Sequence, residues 1–309
     1  MPSAGKSKAY FALFLTSIIW GTTWVVSKEA VAVIHPLFFA GIRQIIAGVC
    51  FLLFFVVRKK APWPTTKEWG YLLMMAVLLF VVSNGFTIWG IKYINSGLGA
   101  ILGALFPLFV AVIDWMIGEK DRPNTTSVIG LLLGIAGVAI IFYEHLADFA
   151  KPDFRFGILL SLTACITWAI GTIITTRNII KMDRYYALGW QMFIAGSILN
   201  VICYFKGFSI PLSKISMHTW LSVAYMVFFA SVVAFVAFLY TLNNLPTTLA
   251  SVYAYVNPVV AVILGHFVLG ESWSLSLLFG AVVTLAGVYL VNSGFRKYMR
   301  EIEKNDVAQ

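Results

Sequence analysis

Apolar residues in this chain gather into ten long runs, separated by short breaks of charge, proline or asparagine. The runs cover residues 9–33, 36–57, 69–91, 96–117, 126–143, 156–176, 185–205, 219–241, 247–268 and 274–293. A helix needs about 20 apolar residues to cross the hydrocarbon of a bilayer, and each run is near that length. The runs are too long for strands and lack polar/apolar alternation, which predicts helices rather than a barrel. Lys6 and Lys8 precede the first run, and Ala30-Val31-Ala32 resembles a signal-peptidase site. A signal h-region has only about 7–15 residues, however, so the first run is read as a retained membrane helix.

Composition supports the same class. Of 309 residues, 60% are hydrophobic and 11% charged, where a soluble domain carries about 25% charged residues. Ten spans consume about 200 residues. The remainder is too short for an attached nucleotide-binding, catalytic or DNA-binding domain. The expected fold class is therefore all-α integral membrane, with ten transmembrane helices.

The net charge of +9 then acts as a topology signal. Of the 22 Lys and Arg residues, fifteen fall in segments on the side of the N-terminus, six fall on the opposite side, and Arg43 lies within a span. Cytoplasmic loops carry the Lys/Arg excess, so both termini are expected in the cytoplasm of a multi-pass cell-membrane protein. The expected partners are the lipid bilayer and a small-molecule substrate, without nucleic acid. Monomer and homodimer both remain open. Trp63, Trp69, Trp220 and Trp273 fall near span ends, where amphipathic rings settle.

Candidate chemistry is sparse. Cys50, Cys165 and Cys203 lie in apolar runs without metal-site spacing, and His35, His145, His218 and His266 are dispersed. Gly5-Lys6-Ser7 lacks the earlier glycine and the preceding strand of a phosphate loop. No catalytic residue, metal site or cofactor is expected. An intramembrane enzyme would need clustered nucleophiles, carboxylates or metal ligands.

The chain also repeats itself. Gly41-Ile42-Arg43-Gln44-Ile45-Ile46-Ala47-Gly48 aligns with Gly189-Trp190-Gln191-Met192-Phe193-Ile194-Ala195-Gly196 at an offset of 148, the same offset that links Trp20 to Trp168. Trp69 and Trp220, Pro107 and Pro258, and Gly118-Glu119 and Gly270-Glu271 continue the series at offsets of 151 to 152. The expected organisation is a first five-helix repeat over residues 1–147, a second over 148–295, and a cytoplasmic tail over 296–309. Five crossings is an odd number, so the second copy enters the membrane from the opposite side. Such inverted repeats recur in secondary transporters, with the solute site near the midplane between the halves.

These residues resemble the drug/metabolite transporter superfamily, and EamA-type ten-helix transporters in particular. Trp20-Gly21 with Lys28 is similar to the family's opening pattern, and Pro36 with Arg43 to its second-span signature. Residues 250–261, followed by Leu269-Gly270-Glu271 and by Gly280 with Ala286-Gly287-Val288, resemble the ninth and tenth helices. The resemblance spans about residues 8–295. It implies ten helices, cytoplasmic termini, and export or exchange of small metabolites such as amino acids. Asn257 stands where family members vary, so no particular substrate carries over.

Arg43 is the most informative single residue. A mid-span arginine costs at least ~2.5 kcal/mol on insertion scales, so it faces protein or a wet cavity. It can contact a substrate carboxylate, or it can snorkel or pair with a group such as Glu29. Its neighbour Gln44 is expected to face another way. Trp20, Trp24, Trp89, Trp168 and Trp190 lie too deep for the interface belt. The repeat could set Trp20 and Trp168 on opposite walls of one cavity, or they could simply pack. Thr23, Asn84, Thr172, Gln191, Tyr240, Tyr253, Tyr255 and Asn257 are the uncharged polar side chains deep enough to join them. Lys28 and Glu29 are candidates for a gate, or for interfacial anchoring, and Pro107 and Pro258 for hinges. Asp114 is a candidate for ion coupling, and Glu119 for pairing within its loop. Gly99/Gly103, Gly130/Gly134 and Gly137 have the spacing that lets helices approach closely. The functional expectation is a gradient-driven secondary transporter working by alternating access, with a proton-coupled antiporter or a non-transporting assembly protein as alternatives.

The charge count carries its own test. A reporter that fluoresces only in the cytoplasm, fused after Gln309, should be bright, whereas the same reporter inserted between Ala150 and Lys151 should be dark.

Overall fold

The computed structural model describes residues 4–59, 61–116, 125–177, 179–245, 250 and 253–307. Every described element is helical. Eight helices are long and apolar enough to cross a membrane: α1 (Ser7–Val31), α2 (Pro36–Val57), α3 (Thr66–Gly90), α4 (Ser96–Ile113), α5 (Thr125–Tyr143), α6 (Pro152–Thr176), α7 (Arg184–Phe205) and α8 (Met217–Asn244). Two shorter apolar helices follow, α9 (Tyr253–Leu269) and α10 (Leu275–Val291). The last helix continues without a break to Val307, through the segment read from sequence as a tail. Glu119 and the side chain of Asp114 lie outside the described residues.

Local chemistry sets the helix starts. Pro36 and Pro152 occupy first turns, where the missing N–H costs nothing. His35 Nδ1 accepts a hydrogen bond from Leu37 N at 3.3 Å. Burial, and then the charge of Lys92, hold the imidazole below its ordinary pKa, which favours the neutral ring that can accept this bond. Thr65 and Glu68 form a reciprocal capping box at α3. Asp183 accepts from Tyr185 N and Tyr186 N at the start of α7.

The helices pack in a pattern that is unchanged when the two halves are exchanged. α2 lies along α7, and α5 along α10. α1 packs on α8 and α9, as α6 packs on α3 and α4, and α4 meets α9. Glycine allows close backbone approach at two of the three contacts between equivalent helices, α5 with α10 and α2 with α7. A Cβ on Gly130 would stand 2.6 Å from Gly287 O, and one on Gly196 2.9 Å from Gly41 O. Between helices in lipid the hydrophobic effect gives no attraction, so close backbone approach and dispersion hold such pairs. Gly99 and Gly103, expected to serve the same purpose, instead form a notch filled by the Trp24 indole, whose carbons would stand 3.0 Å from an added Cβ at either.

Two further features recur at equivalent places. The wider π-helical turn occurs within α3 over Ala76–Asn84 and within α8 over Met226–Val233. Such turns insert a residue into the helical ladder and re-aim the side chains around them. The proline pair is less symmetric. α4 breaks at Ala104-Leu105 and resumes at Phe106 with Pro107 in its new first turn. α9 runs through Pro258 uninterrupted.

Because Gly287 touches backbone, Gly287→Leu should lower stability by about 1–3 kcal/mol. Nothing lies within 4 Å of a Cβ added at Gly70, so Gly70→Ala should leave stability unchanged or slightly raised. The fraction of purified protein that stays monodisperse after heating measures both.

Candidate functional site

A cavity of about 150 Å³ lies between the two halves. α1 contributes Trp20, Thr23, Trp24 and Ser27; α2 contributes Arg43; and α3 contributes Ser83, Asn84 and Thr87. The second half supplies Ser161, Cys165 and Trp168 from α6, Phe235 from α8, and Tyr253 and Asn257 from α9. The π-helical turn of α3 ends on Ser83 and Asn84, and so delivers both to this wall.

Arg43 is 3% exposed and is the one charged side chain among the described residues lining the cavity. Its Nη2 donates to Asn84 Oδ1, and Gln44 Nε2 donates to the same oxygen at 3.1 Å. Gln44 was expected to face away; both side chains are long enough to converge on one acceptor. Arg43 Nε and Gln44 Oε1 have no hydrogen-bond partner among the described residues. Glu29, the acidic partner considered for Arg43, instead faces His218, Nε2 to Oε1 at 3.4 Å. The guanidinium is thus buried with a neutral acceptor and no counter-ion among the described residues. A buried charge without a counter-ion is costly, so an anionic group entering the cavity gains from meeting it.

An aromatic layer closes one end of the cavity. Trp20 meets Trp168 edge-on, with ring centroids 5.9 Å apart and planes at 80°. It also contacts Phe235 at 5.1 Å, Phe238 at 5.0 Å and Tyr253 at 5.0 Å. Trp168 Nε1 donates to Tyr253 Oη at 3.0 Å, and Trp20 Nε1 to Ala230 O at 3.2 Å. The two repeat-related tryptophans therefore touch within one layer while both line the cavity, so of the two arrangements the sequence left open they pack against each other. The two rings are large enough to meet across the space between α1 and α6.

Other site candidates fall elsewhere. Thr172 and Gln191 line a second cavity of about 60 Å³ on the far side of the aromatic layer. Trp190 packs with Trp69 and Trp63 at 4.8 and 5.1 Å, near the start of α3 and α7. Trp89 meets His35 and Phe156 edge-on at the opposite end of α3. Tyr240 and Tyr255 pack at the edge of the apolar core and line neither cavity. In the orientation that satisfies its amide, Asn257 donates to Ser17 O at 2.9 Å and to Tyr253 O at 3.1 Å. It thereby ties α9 to α1.

Lys28 and Glu271 hold the two ends of one turn. Lys28 Nζ donates to Ile91 O at 2.8 Å, Lys92 O at 3.3 Å and Ile94 O at 2.7 Å, at the carbonyl end of α3. Glu271 accepts from Ser96 N at 2.8 Å and from Ser96 Oγ at 2.6 Å, at the amide end of α4. A cation at a helix C-terminus and an anion at an N-terminus both match the local dipole. Glu271 was visible in the sequence as half of the repeated Gly-Glu pair and as part of the Leu269-Gly270-Glu271 stretch, without a role. Nothing local predicts that it caps a helix 175 residues away.

A duplicated helical membrane protein, with an aromatic cavity between its halves and, among the described residues, one buried cation on the wall, has the build of a solute carrier. The pattern of the EamA-like transporter family matches this chain twice, over residues 7–143 and 155–293. The chain belongs to that family and is a membrane transporter. It is 32% identical over 289 residues to the uncharacterized inner membrane transporter YedA of Escherichia coli (strain K12), covering 93% of this chain and 91% of that one. It is 28% identical over 295 residues to the uncharacterized transporter YvbV of Bacillus subtilis (strain 168), covering 95% and 94%. A solved crystal structure shares the fold with a TM-score of 0.66 at 16% identity, covering 92% of this chain and 97% of that chain.

Lys28 and Glu271 grip opposite ends of the 91–96 turn, so their contributions should couple. Lys28→Ala and Glu271→Ala should each lower the melting temperature. The double variant should lose less than the two losses combined, by about 0.5–3 kcal/mol of interaction energy, read from thermal unfolding of the purified protein.

Proposed function

We propose that this protein is a secondary transporter that moves small amphipathic metabolites bearing a carboxylate, amino acids or close relatives, outward across the cytoplasmic membrane. The two repeats are inverted with respect to each other and alternate which end of the central cavity is open. The observation that carries this reading is Arg43: a buried guanidinium on the wall of an aromatic cavity, held by Asn84 and lacking a counter-ion among the described residues. Trp20, Trp24, Trp168 and Tyr253 supply apolar surface for the rest of the solute, as in ligand cavities generally. Asn84, Ser83, Thr23 and Asn257 supply neutral polar contacts. No carboxylate stands among the described lining residues. Proton relays within membranes are commonly built on Asp or Glu, and this favours facilitated export or exchange over proton coupling.

Flux in sealed proteoliposomes against a panel of amino acids tests the reading. Arg43→Gln should reduce flux of a carboxylate solute by about tenfold or more, since a charge-assisted bond is replaced by a neutral one. It should also erase the preference for that solute over its amide. Trp168→Ala should reduce flux without loss of folded protein. A pH gradient alone should not drive uphill accumulation. Unchanged flux in both variants would remove the central-cavity assignment, and accumulation driven by pH alone would establish proton coupling.

A further inference from the structure

The smaller cavity repeats part of the wall of the larger one. On one side of the aromatic layer the wall includes Trp20, Trp24, Ser27 and Arg43; on the other it includes Trp168, Thr172, Thr175 and Gln191. Each residue of the second set stands 148 positions after its counterpart in the first. α3, α6, α7 and α8 bound the smaller cavity. Exchanging the halves turns these into α8, α1, α2 and α3, all of which bound the larger one. Trp168 and Phe235 face both spaces and divide them. The larger cavity lies toward the Lys28 end of α1, whereas Arg184, Ile179 and Tyr71 place the smaller one toward the end where α3 and α7 begin, the end of the chain termini.

Gln191 is 7% exposed, lines this smaller cavity, and its amide makes no hydrogen bond within the described residues. Thr172, 4% exposed, lines the same space, and its hydroxyl is likewise without a partner there. Buried polar groups are nearly always satisfied, by protein, water or ligand. An amide with no protein partner, aimed into a cavity, marks a binding surface rather than a packing surface.

Building on the transport reading, we infer that the cavity walled by Trp168, Thr172, Thr175 and Gln191 is a second solute site, the inverted counterpart of the Arg43 cavity, where the same carboxylate-bearing solute meets the Gln191 amide; Arg184, the charged residue of this wall, stands at the start of α7, two turns before Gln191, and donates to Asn243 Oδ1. At about 60 Å³ against 150 Å³, it is the contracted member of the pair in this conformation. Displacing the Trp168–Phe235 partition joins the two spaces. A carboxylate then passes between a site with a guanidinium and a site with an amide. Of the equivalent positions 43 and 191 only the first carries a cation, and Arg184 is already engaged with Asn243 two turns nearer the terminal end, so the solute binds more weakly beside Gln191 than beside Arg43. The repeat thus supplies two similar sites, and the Arg43/Gln191 difference makes them unequal.

The test uses the full-length protein in right-side-out and inside-out membrane vesicles, with whichever radiolabelled amino acid from the panel shows flux. Wild type should half-saturate at a concentration about tenfold higher from the terminal end than from the opposite end. Gln191→Arg should lower the terminal-end value several-fold and leave the opposite-end value nearly unchanged, while Gln191→Leu should raise the terminal-end value alone. Equal half-saturation from the two ends in wild type, or Gln191 variants that shift both ends together, would overturn the inference while leaving the transport reading standing. A measurement independent of flux uses Gln191→Cys in a chain whose Cys50, Cys165 and Cys203 are replaced by Ala. A membrane-impermeant methanethiosulfonate should modify it from the terminal end and not from the opposite end. Absence of modification from the terminal end would also overturn the inference. Absence of flux for every amino acid would count against the transport reading, and the labelling result would still decide whether the second cavity exists as an accessible site.

Discussion

The close approach of equivalent helices at glycine is the constraint on which the rest of this structure depends. α2 and α7 meet through Gly41, Gly48, Gly189 and Gly196, and α5 and α10 through Gly130, Gly137, Gly280 and Gly287. In lipid, apolar side chains gain nothing by leaving their surroundings for one another, so association rests on dispersion and on how closely backbones can come. These contacts bind the first half to the second along two seams. The remaining helices, α1, α3, α4, α6, α8 and α9, then surround the space between the seams. These wall helices also pack across the two halves, α1 on α8 and α9 and α6 on α3 and α4, and the cavity lies between them.

Within that frame, charge is spent sparingly and in places that match backbone dipoles. Lys28 and Glu271 neutralise the facing ends of α3 and α4, so two ionised groups near the membrane edge double as helix caps. Arg43 is different, because its partner is the neutral oxygen of Asn84. A membrane interior tolerates such an arrangement only where protein or a wet cavity surrounds it. The aromatic layer of Trp20, Trp168, Phe235, Phe238 and Tyr253 separates this cation from the space around Gln191. Hydrogen bonds from both indoles fix the layer to α8 and α9. The same rings therefore act as wall, partition and inter-repeat contact.

Parts of the site were legible in the sequence because they violate membrane composition. Arg43 is conspicuous as a cation within an apolar run, and Trp20 and Trp168 as bulky rings at repeat-equivalent depth. Eight of the fourteen residues proposed for a single cavity do line the central one, from Trp20 through Asn257. The other six share the same signal, a polar or aromatic residue deep in a span, but face elsewhere. Depth along a helix follows from counting residues, whereas the direction a side chain faces follows from how that helix is rotated against its neighbours. Trp190 turns toward Trp69 rather than the centre, and Trp89 toward His35. Glu271 went unrecognised as a cap because its acceptor role depends on a contact across 175 residues.

By itself, the sequence determined the class, the helix spans, the duplication and the position of the lone intramembrane cation. These depend on local hydropathy, on the length of chain a bilayer requires, and on order along the chain, all of which are one-dimensional quantities. The tertiary structure decided which deep residues share a cavity, that the two repeat-related tryptophans touch instead of facing each other across a gap, and that Thr172 and Gln191 belong to a separate space. Those facts depend on helix rotation and interaxial distance. Contacts between residues far apart in the chain, such as Gly130 with Gly287, set both.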